Sequence, residues 1–338
     1  MKLSTILDQI DLGSMALPVF QRGYVWNRDQ VRRLMRAMYR GYPVGSLLVW
    51  ETKTEGAAVR GDGPVSSGTV KMLLDGQQRI TSLYGIVRGK PPAFFEGDVN
   101  AFKNLYFNLT DEEFEFYAPL KMKNNPLWIS TTDLMQRGVG DFIQRLMAVP
   151  ELQPQISDYI NRLNAIANIS NRELHIDNVS GDDKTEPVVV DIFNEVNSGG
   201  TKLSQADLAL ARICSMWPEA REEMRTRLRK WAKAGFNFKL DWLVRCITTT
   251  LTEQAYFSPL KDFNPSQVAA GLNRTEKHVD TLVNLIAGRL GLDHDRVLGS
   301  RYSFPVLASY LERRGGRLTD HAERDKLLYW YIPNLSFG

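Results

Sequence analysis

The sequence lacks most of the features that mark membrane, secreted and metal-binding proteins. Its 338 residues include two cysteines, Cys214 and Cys246, and four histidines, none at the spacing of a metal or disulfide motif. No apolar run approaches the length of a membrane span, and Asp8 comes too early for a secretory signal peptide. We therefore expect a cytoplasmic protein with reduced, buried cysteines and no membrane partner.

An excess of charge of one sign is also missing. The formal net charge is +3, which is too small to argue by itself for a nucleic-acid partner. Hydrophobic residues make up 43% of the chain and charged residues 24%, as in an ordinary globular protein. Two domains are expected at this length, and the distribution of charge along the chain is more informative than its sum.

The predicted secondary structure changes character near residue 204. Before this point strand patterns alternate with helical ones, and after it only helical patterns recur. Strands are predicted at 44–50, 70–74, 105–109, 114–117, 127–129 and 174–179. Helices are predicted at 3–12, 28–40, 155–169, 187–197, 219–234, 239–253, 266–273, 276–290, 302–314 and 319–331. The expected fold class is therefore α/β (α+β), with a mixed domain over 1–203 and an all-helical domain over 204–338.

Residues 70–83 contain a strand-to-helix junction that is rich in polar side chains. The apolar run 70–74 is followed by Asp75-Gly76-Gln77-Gln78-Arg79 and then by a helix with an apolar side. The free backbone N–H groups and the dipole of a helix start favour an anion, and arginine can bind a phosphate through two donors. Two interpretations stay open: a phosphate site, or an ordinary turn with a solvated Arg79 and with Asp75 as the helix N-cap.

The helix predicted at 28–40 has an apolar face and an arginine face. Asn27 is typical of an N-cap and Gly41 of a C-cap. The apolar residues are Val31, Leu34, Met35 and Met38, and the arginines are Arg28, Arg32 and Arg36 in one row, with Arg33 and Arg40 nearby. The arginine face is either a solvated outer surface or a stripe that follows a nucleic-acid backbone.

Four stretches stand in an order that resembles a known family. They are Leu17–Trp26 with Gln21-Arg22, Tyr42–Leu48, Leu74–Thr81, and Phe193–Thr201 with Asn197. In this order the chain resembles the N-terminal domain of GmrSD-type restriction endonucleases, which SspE-like and BrxU-like phage-defence proteins share. The helical remainder is consistent with that family but carries no diagnostic motif.

The resemblance implies a ParB/sulfiredoxin-like α/β domain in which the Asp-Gly-Gln-Gln-Arg motif serves nucleotide hydrolysis. GTP or ATP is the expected substrate, and Mg²⁺ is the expected cofactor. The expected partner is modified double-stranded DNA, either phosphorothioated as for SspE-like members or glucosylated as for GmrSD-like members.

The chain departs from the family in one respect. Many members end in an HNH nuclease domain, but no His-Asn-His arrangement follows residue 204. We therefore expect a nuclease domain or partner subunit outside this chain. The last predicted helix is followed by seven residues, which is compatible with truncation before such a domain or with a natural short form.

The resemblance and the chemistry of the residues give individual side chains expected roles. Catalysis is expected of Asp75, Gln77, Gln78 and Arg79, with Asp75 as the Mg²⁺ ligand, and nucleotide binding of Gly76, Arg79, Thr81 and Asn197. DNA contacts are expected of Pro18, Val19, Phe20, Gln21, Arg22, Tyr24, Trp26, Arg28, Arg32 and Arg36. Core packing is the alternative for Val19, Tyr24 and Trp26. Two other functions also stay open, a DNA-binding regulatory module without catalysis and a metal-dependent DNA nickase.

Overall fold

A computed structural model describes most of the chain. The described residues are 1–19, 21–53, 59–61, 67–181, 183–196, 205–254, 263–294, 298, 301–318 and 320–332. They belong to two compact units, Met1–Thr185 and Glu186–Gly338. The domain boundary that the sequence predicts, between residues 203 and 204, lies outside the described residues and stays a prediction.

A four-stranded sheet forms the centre of the first unit. In spatial order its strands are β1 (Met15–Ala16), β3 (Thr69–Asp75), β2 (Leu47–Lys53) and β7 (Ile176–Val179). The pair β2 and β3 is antiparallel, whereas β1 with β3 and β2 with β7 are parallel. Strand β3 is an inner strand with four buried aliphatic residues, as its apolar run predicts.

A second, smaller sheet belongs to the same unit. It contains β4 (Leu105–Asn108), β5 (Glu113–Phe116) and β6 (Trp128–Ser130), in the spatial order β5-β4-β6. Both pairs are antiparallel, so the predicted hairpin and the short strand after it are confirmed.

The described residues of the first unit also form seven α-helices. They are α1 (Leu3–Asp11), α2 (Arg28–Arg40), α3 (Gln77–Arg88), α4 (Pro119–Met122), α5 (Thr131–Arg137), α6 (Gly140–Met147) and α7 (Ile156–Ala167). Helix α2 begins after Asn27, whose side chain accepts the Gln30 N–H in a reciprocal capping box, and ends at Gly41 in the left-handed region. Both caps and the apolar face of α2 are confirmed, which fixes the start of α2 directly after the Leu17–Trp26 stretch.

In the described residues of the second unit, all regular secondary structure is helical. Its helices are α8 (Glu186–Val196), α9 (Gln205–Met216), α10 (Ala220–Lys233), α11 (Leu240–Thr252), α12 (Pro265–Leu290), α13 (Ser303–Arg313) and α14 (His321–Tyr331). The mixed α/β class with a helical C-terminal region is therefore confirmed. Cys214 and Cys246 are buried, as expected, neither forms a disulfide bond among the described residues, and burial raises the pKa of Cys246.

One helix prediction in this unit is wrong. The segments 266–273 and 276–290, predicted as separate helices, form the single helix α12. Buried Leu272, Thr275 and Val279 continue one packed face across the predicted break, and the Thr275 hydroxyl bonds Thr250 of α11. Among the described helices, none is long and apolar enough to span a bilayer.

Candidate functional site

The polar junction lies where β3 ends and α3 begins, in the first unit. Gly76 is the N-cap of α3 with φ 93°, a conformation that disfavours any residue with a Cβ. A Cβ at this position would also stand 2.2 Å from Leu47 Cδ2. No side chain caps α3, so the interpretation of Asp75 as the N-cap is wrong.

Arg79 ties three parts of the unit together. Its Nη2 donates to Asp75 Oδ2 at 2.9 Å and to the Ser46 carbonyl at 2.8 Å, and its Nη1 donates to the Val44 carbonyl at 2.6 Å. The side chain is 15% exposed. The two-donor geometry expected for a phosphate is therefore used here on the backbone that leads into β2, and it fixes one oxygen of Asp75.

The two glutamines of the motif bind the segment of residues 21–26. The Gln78 Oε1 accepts the Val25 N–H at 2.9 Å and the Trp26 N–H at 3.3 Å, while its Nε2 donates to the Gly23 carbonyl at 3.1 Å. The Gln77 Nε2 donates to the Arg22 carbonyl at 2.9 Å. The structure thus brings the two separately predicted motifs, Gln21-Arg22 and Asp75–Arg79, into direct contact.

Gln21 points into the protein. It is 3% exposed, and its Nε2 donates to the carbonyls of Leu73 and Leu74 at the end of β3. Arg22 is half-buried. Of the two residues predicted to contact DNA, the Gln21 amide is hydrogen-bonded to the sheet, so it positions this segment in the structure described.

The apolar residues around Gln21-Arg22 divide between core and surface. Tyr24 is 6% exposed, its ring packs 5.6 Å from that of Phe102, and its hydroxyl lies 2.7 Å from Ser82 Oγ. Burial raises the pKa of Tyr24 to about 12. Tyr24 is therefore a core residue, which corrects its expected place on a DNA-facing surface. Pro18 is buried, Val19 and Trp26 are half-buried, and Phe20 lies outside the described residues.

The arginine face of α2 is partly occupied by contacts within the unit. Arg36 forms an ion pair with Glu113 of β5. The guanidinium of Arg28 lies 4.8 Å from the centre of the Phe116 ring, and its Nε donates to the Asn100 carbonyl. Arg32 pairs with Asp29 one turn earlier, while Arg33 and Arg40 are exposed. Arg28 and Arg36 therefore link α2 to the hairpin, although Arg28 stays exposed and the Arg36 side chain is 42% exposed.

Thr81, an expected nucleotide-binding residue, lies inside the protein and not at the junction surface. Thr81 is 2% exposed, and its hydroxyl has no hydrogen-bond partner among the described residues. Asn197, with the glycine turn after it, lies outside the described residues. Their roles stay predictions.

Arg60 is a buried charge that sequence reasoning missed. The stretch 51–69 has no apolar period, which is typical of a loop. Arg60 is nevertheless 5% exposed, and its guanidinium contacts Glu96 and the Arg22 carbonyl. An arginine in a Gly- and Ser-rich stretch has no local pattern that predicts burial, because the contacts that bury Arg60 come from residues distant in sequence.

Asp75 is the residue at the junction that fits a cation. Within the described ranges, no group of three His, Cys, Asp or Glu side chains converges to hold a metal ion. The side chain of Asp75 is 39% exposed, and Arg79 bonds its Oδ2. Mg²⁺ is commonly held by one or two protein carboxylates together with substrate phosphates, so Asp75 can supply the protein part of such a site.

One family match covers both the Asp75–Arg79 junction and the segment of residues 21–26. A family model described as the N-terminal domain of the GmrSD restriction endonuclease matches residues 3–214. An uncharacterized protein of Methanocaldococcus jannaschii, MJ0686, is 27% identical over 260 residues. That alignment covers 67% of this chain and 42% of the relative, so the chain spans less than half of the relative's length.

Proposed function

We propose that this chain, which belongs to the family of GmrSD restriction endonuclease N-terminal domains, is the sensing module of a restriction system and hydrolyses GTP or ATP in response to modified double-stranded DNA. The observation that supports this most is the set of hydrogen bonds from Gln77 and Gln78 to the 21–26 backbone. A conformational change of the DNA-facing segment would therefore be transmitted by these hydrogen bonds to Gln77 and Gln78 in the proposed nucleotide site.

The junction offers the groups that phosphoryl transfer needs. The backbone N–H groups at the start of α3 favour an anion, which suits the nucleotide phosphates. Mg²⁺, when bound, would neutralise charge on these phosphates, and Asp75 is the side chain that would hold it. Arg79 orients Asp75 through the Nη2–Oδ2 bond. Its expected direct contact with phosphate stays a prediction.

A positioned water is the remaining requirement. Among the described residues, the Gln77 Nε2 donates a hydrogen bond to the Arg22 carbonyl. We assign its Oε1 to the attacking water, which a neutral amide can orient without being ionised. Gln78, by contrast, uses both its oxygen and its nitrogen on the 23–26 backbone, so we assign it to positioning.

The modified DNA is assigned to the outer side of the Leu17–Trp26 stretch. Half-buried Val19 and Trp26 offer apolar surface there, which suits a phosphorothioate sulfur because sulfur is more weakly hydrated than oxygen. Exposed Arg33 and Arg40 of α2 supply sequence-independent attraction to the DNA backbone.

The test of catalysis is Mg²⁺-dependent turnover of GTP and ATP by the wild type and by Asp75→Asn. Asparagine keeps the shape and can still accept from Arg79, so the fold should persist while turnover falls at least about 100-fold. Asp111→Asn, at the exposed β4–β5 turn, is the matched control and should retain full turnover. A folded wild type that hydrolyses neither nucleotide, with or without modified DNA, contradicts the proposal.

A second candidate is a DNA-binding regulatory module without catalysis. It is favoured by the Arg79 contacts, since a guanidinium bonded to two carbonyls and Asp75 has a sufficient structural role. This candidate predicts DNA binding that falls steeply with salt. It also predicts that Asp75→Asn leaves every measurable property except melting temperature unchanged.

A further inference from the structure

Arg60 is held in the protein by one carboxylate and by the backbone of the DNA-facing segment. Its side chain is 2% exposed, and its Nη2 forms an ion pair with Glu96. Its Nη1 donates to the Arg22 carbonyl at 2.7 Å, with a longer contact of 3.4 Å to the Gln21 carbonyl. A buried guanidinium is stable only when it is paired, so these acceptors and Arg60 constrain one another.

The Arg22 carbonyl is where two donors meet. Arg60 Nη1 approaches it at 2.7 Å and Gln77 Nε2 at 2.9 Å, which uses both lone pairs of the oxygen. The peptide plane that follows Arg22 is therefore fixed from two directions. One donor comes from the proposed nucleotide junction, and the other comes from Arg60.

Glu96 holds the same segment a second time through its own backbone. The Tyr24 N–H donates to the Glu96 carbonyl at 2.6 Å. Gly23 lies so close that a Cβ there would stand 2.9 Å from this carbonyl oxygen. The side chain of Glu96 thus orients Arg60 while its backbone orients Tyr24, and the two contacts enclose residues 22–24.

We propose that Arg60, held by Glu96, is a positioning residue that fixes the Gln21-Arg22 backbone in the conformation that recognises modified DNA. The proposal rests on the proposed function, because it assigns a role in the same DNA response. Arg60 does not touch DNA in this account. It acts through the Arg22 carbonyl, and lysine cannot replace it, because a single ammonium cannot present the same planar set of donors to Glu96 and to Arg22.

The test compares Arg60→Lys and Glu96→Gln with the wild type in two measurements. The first is amide hydrogen exchange of residues 21–26. The second is the affinity for phosphorothioated, glucosylated and unmodified duplexes of one sequence. Arg88→Lys is the matched control, since Arg88 also forms ion pairs, in this case with Asp8 and Asp11, but lies at the C-terminal end of α3, away from the junction.

We expect Arg60→Lys to speed exchange in residues 21–26 about tenfold and to lower the preference for modified over unmodified DNA about tenfold, the size of one charge-assisted hydrogen bond. Glu96→Gln keeps an acceptor for Arg60, so its effect should be about threefold. The control should change neither quantity. Melting temperatures establish that each variant is folded.

The remaining outcomes distinguish a failure of the proposed function from a failure of the proposed role of Arg60. If the wild type binds all three duplexes equally, the proposed DNA response fails. If the wild type prefers one modified duplex and Arg60→Lys keeps that preference, the proposed function survives and the role of Arg60 is wrong. Unchanged exchange in residues 21–26 of Arg60→Lys, or an equal change in Arg88→Lys, also overturns the proposal.

Discussion

At the scale of residues, the junction is built from long polar side chains that bond backbone carbonyls. Arg79, Gln78 and Arg60 each bond the main chain of a segment distant in sequence, at separations of more than 30 residues. A hydrogen bond from a charged donor is stronger than one between neutral groups, and an unmet buried partner is costly. These contacts therefore stabilise the geometry of the candidate site.

Arg79→Lys should destabilise the first unit. The ammonium of lysine cannot reach Val44, Ser46 and Asp75 together, so we expect a loss of about 2 kcal/mol in the free energy of unfolding. Urea denaturation measures this. Arg33→Lys, on the exposed side of α2, is the control and should change the free energy by less than about 0.5 kcal/mol. Equal stability of the two variants would show that the Arg79 contacts contribute little.

Tyr24 makes stability depend on alkaline pH. Burial raises its pKa from 10.0 to about 12. The stabilisation is fully present below pH 10 and is lost as the pH rises toward 12, because the unfolded chain loses the phenol proton first.

Tyr24→Phe should therefore flatten part of the alkaline stability curve. Over that range the wild type should lose about 2 kcal/mol more of its free energy of unfolding than the variant, because folding raises the Tyr24 pKa from 10.0 to about 12. Urea midpoints measured across the range give both curves, and the other tyrosines with a raised pKa are common to both proteins, namely Tyr39, Tyr84, Tyr106, Tyr310 and Tyr331. Parallel curves would mean that the Tyr24 phenol ionises normally in the folded state.

The sequence predicted where polar side chains cluster, but it did not predict which groups they contact. Gln21 was expected to face DNA, yet its amide bonds the end of β3. Asp75 was expected to hold a metal or cap α3, and it is Gly76 that occupies the cap. A pattern shows where polar groups gather, while their partners here are backbone carbonyls brought close by tertiary packing, which no local spacing encodes.

At the scale of elements, α2 combines a locally encoded helix with a tertiary surface. Its caps and apolar face follow from local sequence, so they were predicted correctly. The contacts of its arginines were not predictable, because their partners Glu113 and Phe116 belong to strand β5, which is distant in sequence. The continuous α12 gives the same lesson, since packing against α11 overrides the weak helix signal near Thr275.

Arginines on the two sides of α2 should respond differently to substitution. Arg33→Ala together with Arg40→Ala should weaken DNA binding and reduce the slope of log affinity against log salt by about 1.8, if each contacts one phosphate. Arg36→Ala should instead lower stability by about 1 kcal/mol with little change in that slope. Fluorescence anisotropy over a salt series, with urea denaturation, measures both. A reduced slope in Arg36→Ala alone would reverse the assignment.

At the scale of the whole molecule, the change from mixed to helical structure was predictable, because periodicity is a property of long segments. The compact units divide between residues 185 and 186. The boundary that the sequence predicts, between residues 203 and 204, lies outside the described residues. The junction and the 21–26 segment both belong to the first unit, so the proposed nucleotide and DNA sites share one folded body.

We propose that nucleotide turnover responds to DNA modification through this junction. The direct measurement is GTP and ATP turnover with unmodified, phosphorothioated and glucosylated duplexes of one sequence, side by side. We predict that one modified duplex raises turnover about tenfold or more over the unmodified duplex, and that Asp75→Asn abolishes the response. Turnover that is the same with all three duplexes, or that persists in folded Asp75→Asn, would contradict the account.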